Sequence, residues 1–293
     1  MRSEPYGWLL RMRLRIHPLF WLIILGSLFT GRFIEVMTIF LLVISHELGH
    51  VCIARERGWR IEAIELLPFG GVAQVAAPWR TGSREEIEVA LAGPLVNFIM
   101  VPLAWLCYNI GLWEKGWTDY YIQCNLLLAL FNLLPFAPLD GGKCLQAILS
   151  RRMPYRYAQE RICLIGWMGA LLFFTIGILW HFWYGHLFLN LLLIGAFLAF
   201  HNHMEQKRLP YQYLQFLVSR RERADLDSLP PHRLSLPPHT PVREALNQLR
   251  RECYNLYQVD CPGKPSVWMT ETQLLELFFE HRLPHAEIGR LIC

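Results

Sequence analysis

The sequence predicts a mostly α, polytopic membrane protein, with about six transmembrane helices, a re-entrant or interfacial β-hairpin and a small C-terminal α/β domain. Three observations carry this. Hydrophobic residues make up 54% of the 293 and charged residues 18%, with a mean hydropathy of +0.25, well above a soluble chain of this size. Six stretches approach the roughly 20 apolar residues that a helix needs to cross a hydrocarbon core of about 30 Å. After Met204 the apolar bias ends in a polar, arginine-rich stretch.

In order, the six stretches fall at roughly 17–33, 36–54, 87–112, 120–139, 162–181 and 186–203. Arg55, Arg57 and Arg60 follow the second, and Arg80 and Arg84 precede the third. Arg151, Arg152, Arg156 and Arg161 precede the fifth, and Lys207 and Arg208 follow the sixth. The segments on the other side hold only Arg32 and Lys115, so the positive-inside rule puts both termini in the cytosol. Arg2, Arg11, Arg13 and Arg15 precede an apolar run with no small-residue cleavage site, which reads as a retained segment rather than a signal peptide. The net charge of +4 is modest and its arginines lie between apolar runs, so the bilayer, and not nucleic acid, is the expected partner. Cys52, Cys107, Cys124 and Cys163 sit in or beside apolar runs, where cysteine behaves as a small hydrophobe, and no disulfide framework is expected.

Residues 61–76 are too short and interrupted to span. Gly70-Gly71 between β-prone runs predicts a hairpin turn, with Pro68 weakening the first strand near it. Non-helical backbone at membrane depth needs protein or a water-filled cavity around it, so the segment is placed as a re-entrant or interfacial hairpin. The chain then divides into a transmembrane domain at 1–204, a linker at 205–233 marked by Pro230-Pro231, and a soluble domain at 234–293. In that last domain a helix is expected from Thr240 to Leu246, strands at Tyr257–Asp260 and Ser266–Met269 around a Pro262-Gly263 turn, and a second helix over 271–281.

The chemistry concentrates in His46-Glu47-Leu48-Gly49-His50. Histidines at i and i+4 stand one helical turn apart and can chelate one Zn²⁺, and the glutamate between them reaches a metal-bound water. Ionisable groups inside an apolar span are costly and mark function. A catalytic zinc needs a third protein ligand. Asp140 is the best candidate, in Pro138-Leu139-Asp140-Gly141-Gly142 at the end of an apolar run, although a helix N-cap would also suit it. Glu62 and Glu65 are rivals, read more readily as solvated or substrate-facing groups, and Cys144 reads as a packing residue. His181, His186, His201 and His203 read as interfacial residues because none has the spacing and carboxylate partner of a second metal site.

Together with Ala92-Gly93-Pro94-Leu95-Val96-Asn97 and Asn132-Leu133-Leu134-Pro135-Phe136-Ala137-Pro138-Leu139-Asp140-Gly141-Gly142, this motif resembles the site-2 protease family of intramembrane metalloproteases, over about residues 15–205. The resemblance implies that His46, His50 and Asp140 bind zinc inside the membrane near its cytosolic side, that Glu47 is the catalytic base and that Asn132 lies near substrate. Asn97 reads as an interhelical hydrogen-bonding residue. The C-terminal domain resembles a CBS domain in length and β/α order, which implies ATP as a regulatory ligand and self-association in pairs. Six spans with one such domain resemble a sporulation subgroup of the family. That implies a membrane-associated pro-sigma factor as substrate, inhibitory membrane-protein partners and a place in the mother-cell membrane around the forespore. Val72, Ala73, Gln74 and Val75 are expected to offer a strand edge to the unwound substrate, since that run lacks the Lys or Pro that blunts an edge. Two other readings use the same residues: a transporter or ion channel in which they relay protons or cations, and a catalytically silent membrane scaffold.

Overall fold

A computed structural model describes residues 13–16, 18–67, 70–76, 81–186, 188–223, 226–261, 263 and 265–292. The chain divides into two compact units, one of residues 1–135 and 139–144, the other of 136–138 and 145–293.

In the first unit a short strand β1 (Arg13–Ile16) leads into helix α1 (Pro18–Thr30) and the long helix α2 (Phe33–Glu56). Strands β2 (Arg60–Leu67) and β3 (Gly70–Ala76) follow, then α3 (Ser83–Asn109), α4 (Lys115–Asn132) and the start of α5 (Asp140–Arg152). Proline opens α1, where its missing N–H has no helical role to lose. Glu85 and Glu86 occupy the first turn of α3, where acidic side chains complement the helix dipole. Helices α2, α3 and α4 pack on one another and the sheet lies beside α2.

The hairpin forms with a different turn from the expected one. Leu67 pairs with Gly70 and Leu66 with Gly71, so both glycines belong to β3 and the reversal falls between Leu67 and Gly70. Residues 68 and 69 lie outside the described residues. A register irregularity between Ile61 and Ala63 marks a bulge in β2. An unexpected third strand, β1, pairs in parallel with β2, giving the order β1-β2-β3 and leaving β3 at an edge. It formed out of the segment read only as a basic flank.

The second unit holds α6 (Tyr155–Tyr184) and α7 (Leu189–Arg221), packed against each other, and a terminal β/α layer. That layer runs β4 (Pro231–Leu236), α8 (Val242–Asn247), β5 (Tyr254–Val259), β6 (Val267–Thr270), α9 (Glu271–Phe279) and α10 (Ile288–Ile292). Its sheet is β4-β5-β6, parallel then antiparallel. Thr270 and Gln273 close a capping box at the start of α9. The elements expected from sequence are present with ends shifted by up to three residues.

Where a linker was expected from residue 205, α7 continues unbroken to Arg221 through Pro210. Phe216 and Leu217 from α7 and Tyr155 from α6 join Tyr257, Leu274 and Ile288 in one buried core. Tyr155 stacks on Phe216 with ring centroids 4.3 Å apart. A buried ion pair ties the end of α7 to α9. Arg220 Nη2 donates to both Glu271 oxygens, at 2.6 and 2.7 Å, and Arg220 also donates to the carbonyls of Arg251 and Cys253. Asn255 donates its backbone and side-chain N–H to Glu271 Oε2.

Three helices among the described residues, α2, α3 and α6, are long and apolar enough to cross a membrane. The remaining expected stretches correspond to α1, which has 13 residues, and to α4 and α7, which carry polar side chains such as Asn125 and Asn202. Large apolar side chains face outward, Phe29 at 91% and Trp183 at 86% exposure among many. Patches of that kind belong against lipid or protein.

Removing one partner of the Arg220–Glu271 pair leaves the other charge buried and uncompensated. Glu271→Gln should therefore cost about 3–5 kcal/mol of stability, read as a lowered thermal midpoint in detergent. Arg220→Met combined with Glu271→Leu should regain part of it; an unshifted midpoint in Glu271→Gln would show that the pair is not structural.

Candidate metal centre

Helix α2 presents His46 and His50 on one face, one turn apart, and α5 begins with Asp140. The three side chains are buried, at 3%, 7% and 4% exposure, and their donor atoms lie within 4.8 Å of one another. Asp140 Oδ2 is 3.1 Å from Nε2 of each histidine, and the two Nε2 atoms are 3.2 Å apart. Among the described residues this is the group of His, Cys, Asp and Glu suited to a metal. His181, His186, His201 and His203 are not part of it.

The tautomer of each ring follows from its outer neighbour. His50 Nδ1 lies 2.7 Å from the Val89 carbonyl, which only accepts, so Nδ1 carries the proton. For His46 the argument runs through two amides. Asn125 donates to the Tyr121 carbonyl at 2.9 Å, Asn97 Nδ2 donates to Asn125 Oδ1 at 3.0 Å, and Asn97 Oδ1 is left to accept from His46 Nδ1 at 2.6 Å. With the rings neutral, each turns an Nε2 lone pair inward, toward an Asp140 oxygen that also only accepts. Three acceptors then converge, the donor set that a zinc site takes. These residues fit a zinc ion by chemistry and orientation.

Close backbone approach makes the geometry possible. A Cβ on Gly93 of α3 would collide with the His50 ring and stand 2.7 Å from His46 Nε2. A Cβ on Gly141 would run into the Leu133 carbonyl, so the glycine after Asp140 lets α5 start against the end of α4. Lys143, one turn on, donates to Asp140 Oδ1 at 3.0 Å and leaves Oδ2 to the histidines.

Glu47 is half-buried on the same turn of α2, within electrostatic reach of His50, His46, Lys143 and Asp140. Asn132 ends α4, outside the cluster, and donates to the Leu128 carbonyl at 3.0 Å. Val72, Ala73, Gln74 and Val75 lie in β3, opposite Glu65, Ile64, Ala63 and Ile61 of β2, and β3 pairs with no further strand among the described residues. Glu62 and Glu65 are both in β2. The sequence reading missed two outer partners of the histidines. Asn97 does bridge helices, to Asn125, but it also holds His46, and the Val89 carbonyl holds His50. Pro94 leaves the Ala90 carbonyl without its helical donor, one residue from the carbonyl that His50 uses, so no sequence signal marked Val89 itself.

Peptidase family M50 matches residues 34–116 and 113–176 of the chain. Stage IV sporulation protein FB of Bacillus subtilis (strain 168) is 27% identical over 293 residues, covering 97% of this chain and 98% of that protein. A zinc metalloprotease of Methanocaldococcus jannaschii is 30% identical over 229 residues, 77% of this chain and 63% of its own length. The solved structure of a site-2 protease from Methanocaldococcus jannaschii is 30% identical, covers 66% of this chain and 89% of that one, and superposes with a TM-score of 0.52.

Asn97→Leu removes the acceptor of His46 Nδ1 and frees that ring to change tautomer. Zinc affinity, measured by competition with a chelator, should fall about 10–100-fold with helix content unchanged. Unaltered affinity would mean that the ring is oriented by packing alone.

Proposed function

The chain belongs to peptidase family M50 and is a zinc metalloprotease of the site-2 type in an integral membrane setting, and from that premise we infer that His46, His50 and Asp140 hold the zinc and Glu47 is the base that cleaves a membrane-associated protein near the cytosolic side. The observation that carries this reading is the convergence of three lone-pair acceptors whose tautomers are fixed from outside. The pairing of that geometry with the match to peptidase family M50 favours a zinc site over a transporter.

Zinc held there supplies a Lewis acid and acidifies water. Glu47, one residue from His46 and half-buried, takes a proton from the attacking water and delivers it to the leaving amine. Asp140 keeps one oxygen for the metal while Lys143 occupies the other. The open edge of β3, through Val72, Ala73, Gln74 and Val75, takes the unwound substrate segment as an added strand, since a helical peptide bond has its carbonyl committed to the i+4 amide. Asn132, at the end of α4, acts beside that segment.

The likeness to a sporulation protein over nearly the whole of both chains supports a pro-sigma factor as substrate, inhibitory membrane partners and the mother-cell membrane around the forespore as location. Six spans with both termini cytosolic follow if α1, α4 and α7 cross beside α2, α3 and α6, as the arginine distribution favours. The β4-α8-β5-β6-α9 order supports a CBS-like domain that pairs with a second copy and takes ATP as a regulator.

Glu47→Gln should keep its zinc and lose cleavage of a membrane-tethered substrate, both measured on purified protein; normal turnover by this variant would remove the protease mechanism. Single replacement of Ala73, Gln74 and Val75 by proline deletes one backbone donor each. Cleavage should drop at alternate positions with zinc content intact, whereas equal tolerance at all three would show that β3 does not bind substrate as a strand.

A further inference from the structure

The second unit contains a cavity of about 640 Å³ between the first turns of α6, the later part of α7, α8 and the segment joining α9 to α10. Three arginines line it, Arg156, Arg243 and Arg282, against one glutamate, Glu160. Arg156 is already committed, to Glu160 at 3.1 Å and to Asn247 Oδ1 at 2.8 Å. The guanidinium groups of Arg243 and Arg282 make no ion pair or hydrogen bond among the described residues. Charge in this cavity is therefore unbalanced in the positive sense.

Two further features have no account in the packing. Tyr213, on the cavity wall, has a buried hydroxyl with no hydrogen-bond partner, a state that costs about 1–3 kcal/mol when nothing fills it. Burial pushes its phenol above the usual range, and Arg156 and Arg243 act on it in the opposite sense, which places both guanidinium groups in electrostatic reach of the hydroxyl. Arg282 sits at φ 53°, in the left-handed region that few non-glycine residues adopt. Such strain persists where surroundings or function demand it.

The position narrows the ligand. Arg156 lies six residues before the apolar run that begins near 162, about 9 Å along the helix axis at 1.5 Å per residue. That is close to the polar layer of the bilayer, about 5–7 Å thick on each side of the core. Leu209 and Leu214 supply apolar wall, and Leu214 and Tyr211 are exposed on α7 at the same level, at 44% and 64%. Basic pockets beside membrane helices on the cytosolic side take anionic lipid headgroups.

We propose that this cavity binds the phosphodiester headgroup of an anionic membrane lipid, with Arg243 and Arg282 as its cationic contacts and the Tyr213 hydroxyl as a donor to a phosphate oxygen. The site rests on the membrane topology proposed above and is independent of the zinc chemistry. It gives α7 and the C-terminal layer a lipid contact that a soluble phosphate would not provide.

The full chain is reconstituted in nanodiscs of phosphatidylcholine alone or mixed equally with phosphatidylglycerol. Thermal midpoint and lipid retained in native mass spectrometry are then read. Wild type should be more stable in the mixed discs and retain phosphatidylglycerol selectively. Arg243→Gln with Arg282→Gly should lose that selectivity, by about fivefold per arginine. Arg282→Gly also relieves the backbone strain, and a thermal midpoint in phosphatidylcholine discs no lower than that of wild type separates loss of lipid from misfolding. Tyr213→Phe should match wild type in phosphatidylcholine and lose part of the gain in the mixed discs. Equal retention by the double variant, or no lipid preference in wild type, would overturn the site. Glycerol 1-phosphate reproducing the shift in phosphatidylcholine discs would overturn the lipid assignment in favour of a soluble phosphate. A reporter fused after the last residue separates the premises: a reading outside the cytosol fails the topology, and a cytosolic reading without lipid selectivity fails the site itself.

Discussion

Two imidazole nitrogens and a carboxylate oxygen, buried and within 3.2 Å of one another, set the terms for the first unit. Buried acceptors cost about 1–3 kcal/mol each when left alone, so the helices around them are arranged to fix every outer atom. His46 is held by Asn97, Asn97 by Asn125, and Asn125 by a backbone carbonyl that can only accept. His50 is held by Val89. The chain ends in groups whose polarity is not negotiable, and it transmits that polarity to the ring nitrogens. Three such acceptors cost about 3–9 kcal/mol together, and zinc sites in small peptides reach binding free energies of about 10–16 kcal/mol, so a metal more than offsets their preorganisation. The small residues serve the same arrangement, since Gly93 and Gly141 let backbones approach where any side chain would displace a ring or a helix end.

The second unit depends on a different buried charge. Helix α7 leaves its apolar stretch, continues to Arg221 and delivers Arg220 into the terminal layer, where Glu271 and two carbonyls receive it. Glu271 is satisfied in turn by Asn255. A buried pair is no guarantee of stability by itself, because desolvation offsets much of the attraction. Here every nitrogen of the guanidinium and both Glu271 oxygens have partners, and the pair joins the apolar contacts of Phe216 and Leu217 in fixing the end of α7 against β5 and α9. A ligand bound beside α7 acts on a continuous helix and not on a flexible tether.

Much of the site was legible in the sequence, and for a reason that also explains what was missed. His46, Glu47 and His50 are local, so helical spacing alone places them together. Asp140 was legible as a carboxylate followed by glycines at the end of an apolar run. Asn97 was seen only as a bridge between helices, because its partner His46 lies 51 positions away and spacing carries no information on which faces of α2 and α3 meet. The hairpin turn was misplaced because Gly70-Gly71 has turn chemistry, while Pro68, read as a flaw in the first strand, was the sounder sign of where pairing stops. The linker reading trusted composition. The apolar positions Tyr213, Phe216 and Leu217 recur at helical spacing inside that polar stretch, and they were the periodic signal that α7 goes on into a core.

The same tension accounts for α4. It falls outside the helices apolar enough to cross a bilayer because its 18 residues include Lys115, Asp119, Gln123, Asn125 and Asn132. Yet Asn125 is wholly buried and both its amide atoms are bonded, so its polarity is not exposed to whatever surrounds the bundle. A hydropathy sum charges such a residue as though it faced lipid. The sum does not follow the site, since α3 carries Asn97 and the Val89 carbonyl and α2 carries His46, Glu47 and His50, yet both pass because their 27 and 24 residues leave enough apolar length around these groups. The outer partners of the histidines thus lie on one helix that passes the apolarity criterion, α3, and on one that does not, α4, and what marks the polar residues of the site on both is that they are buried and paired.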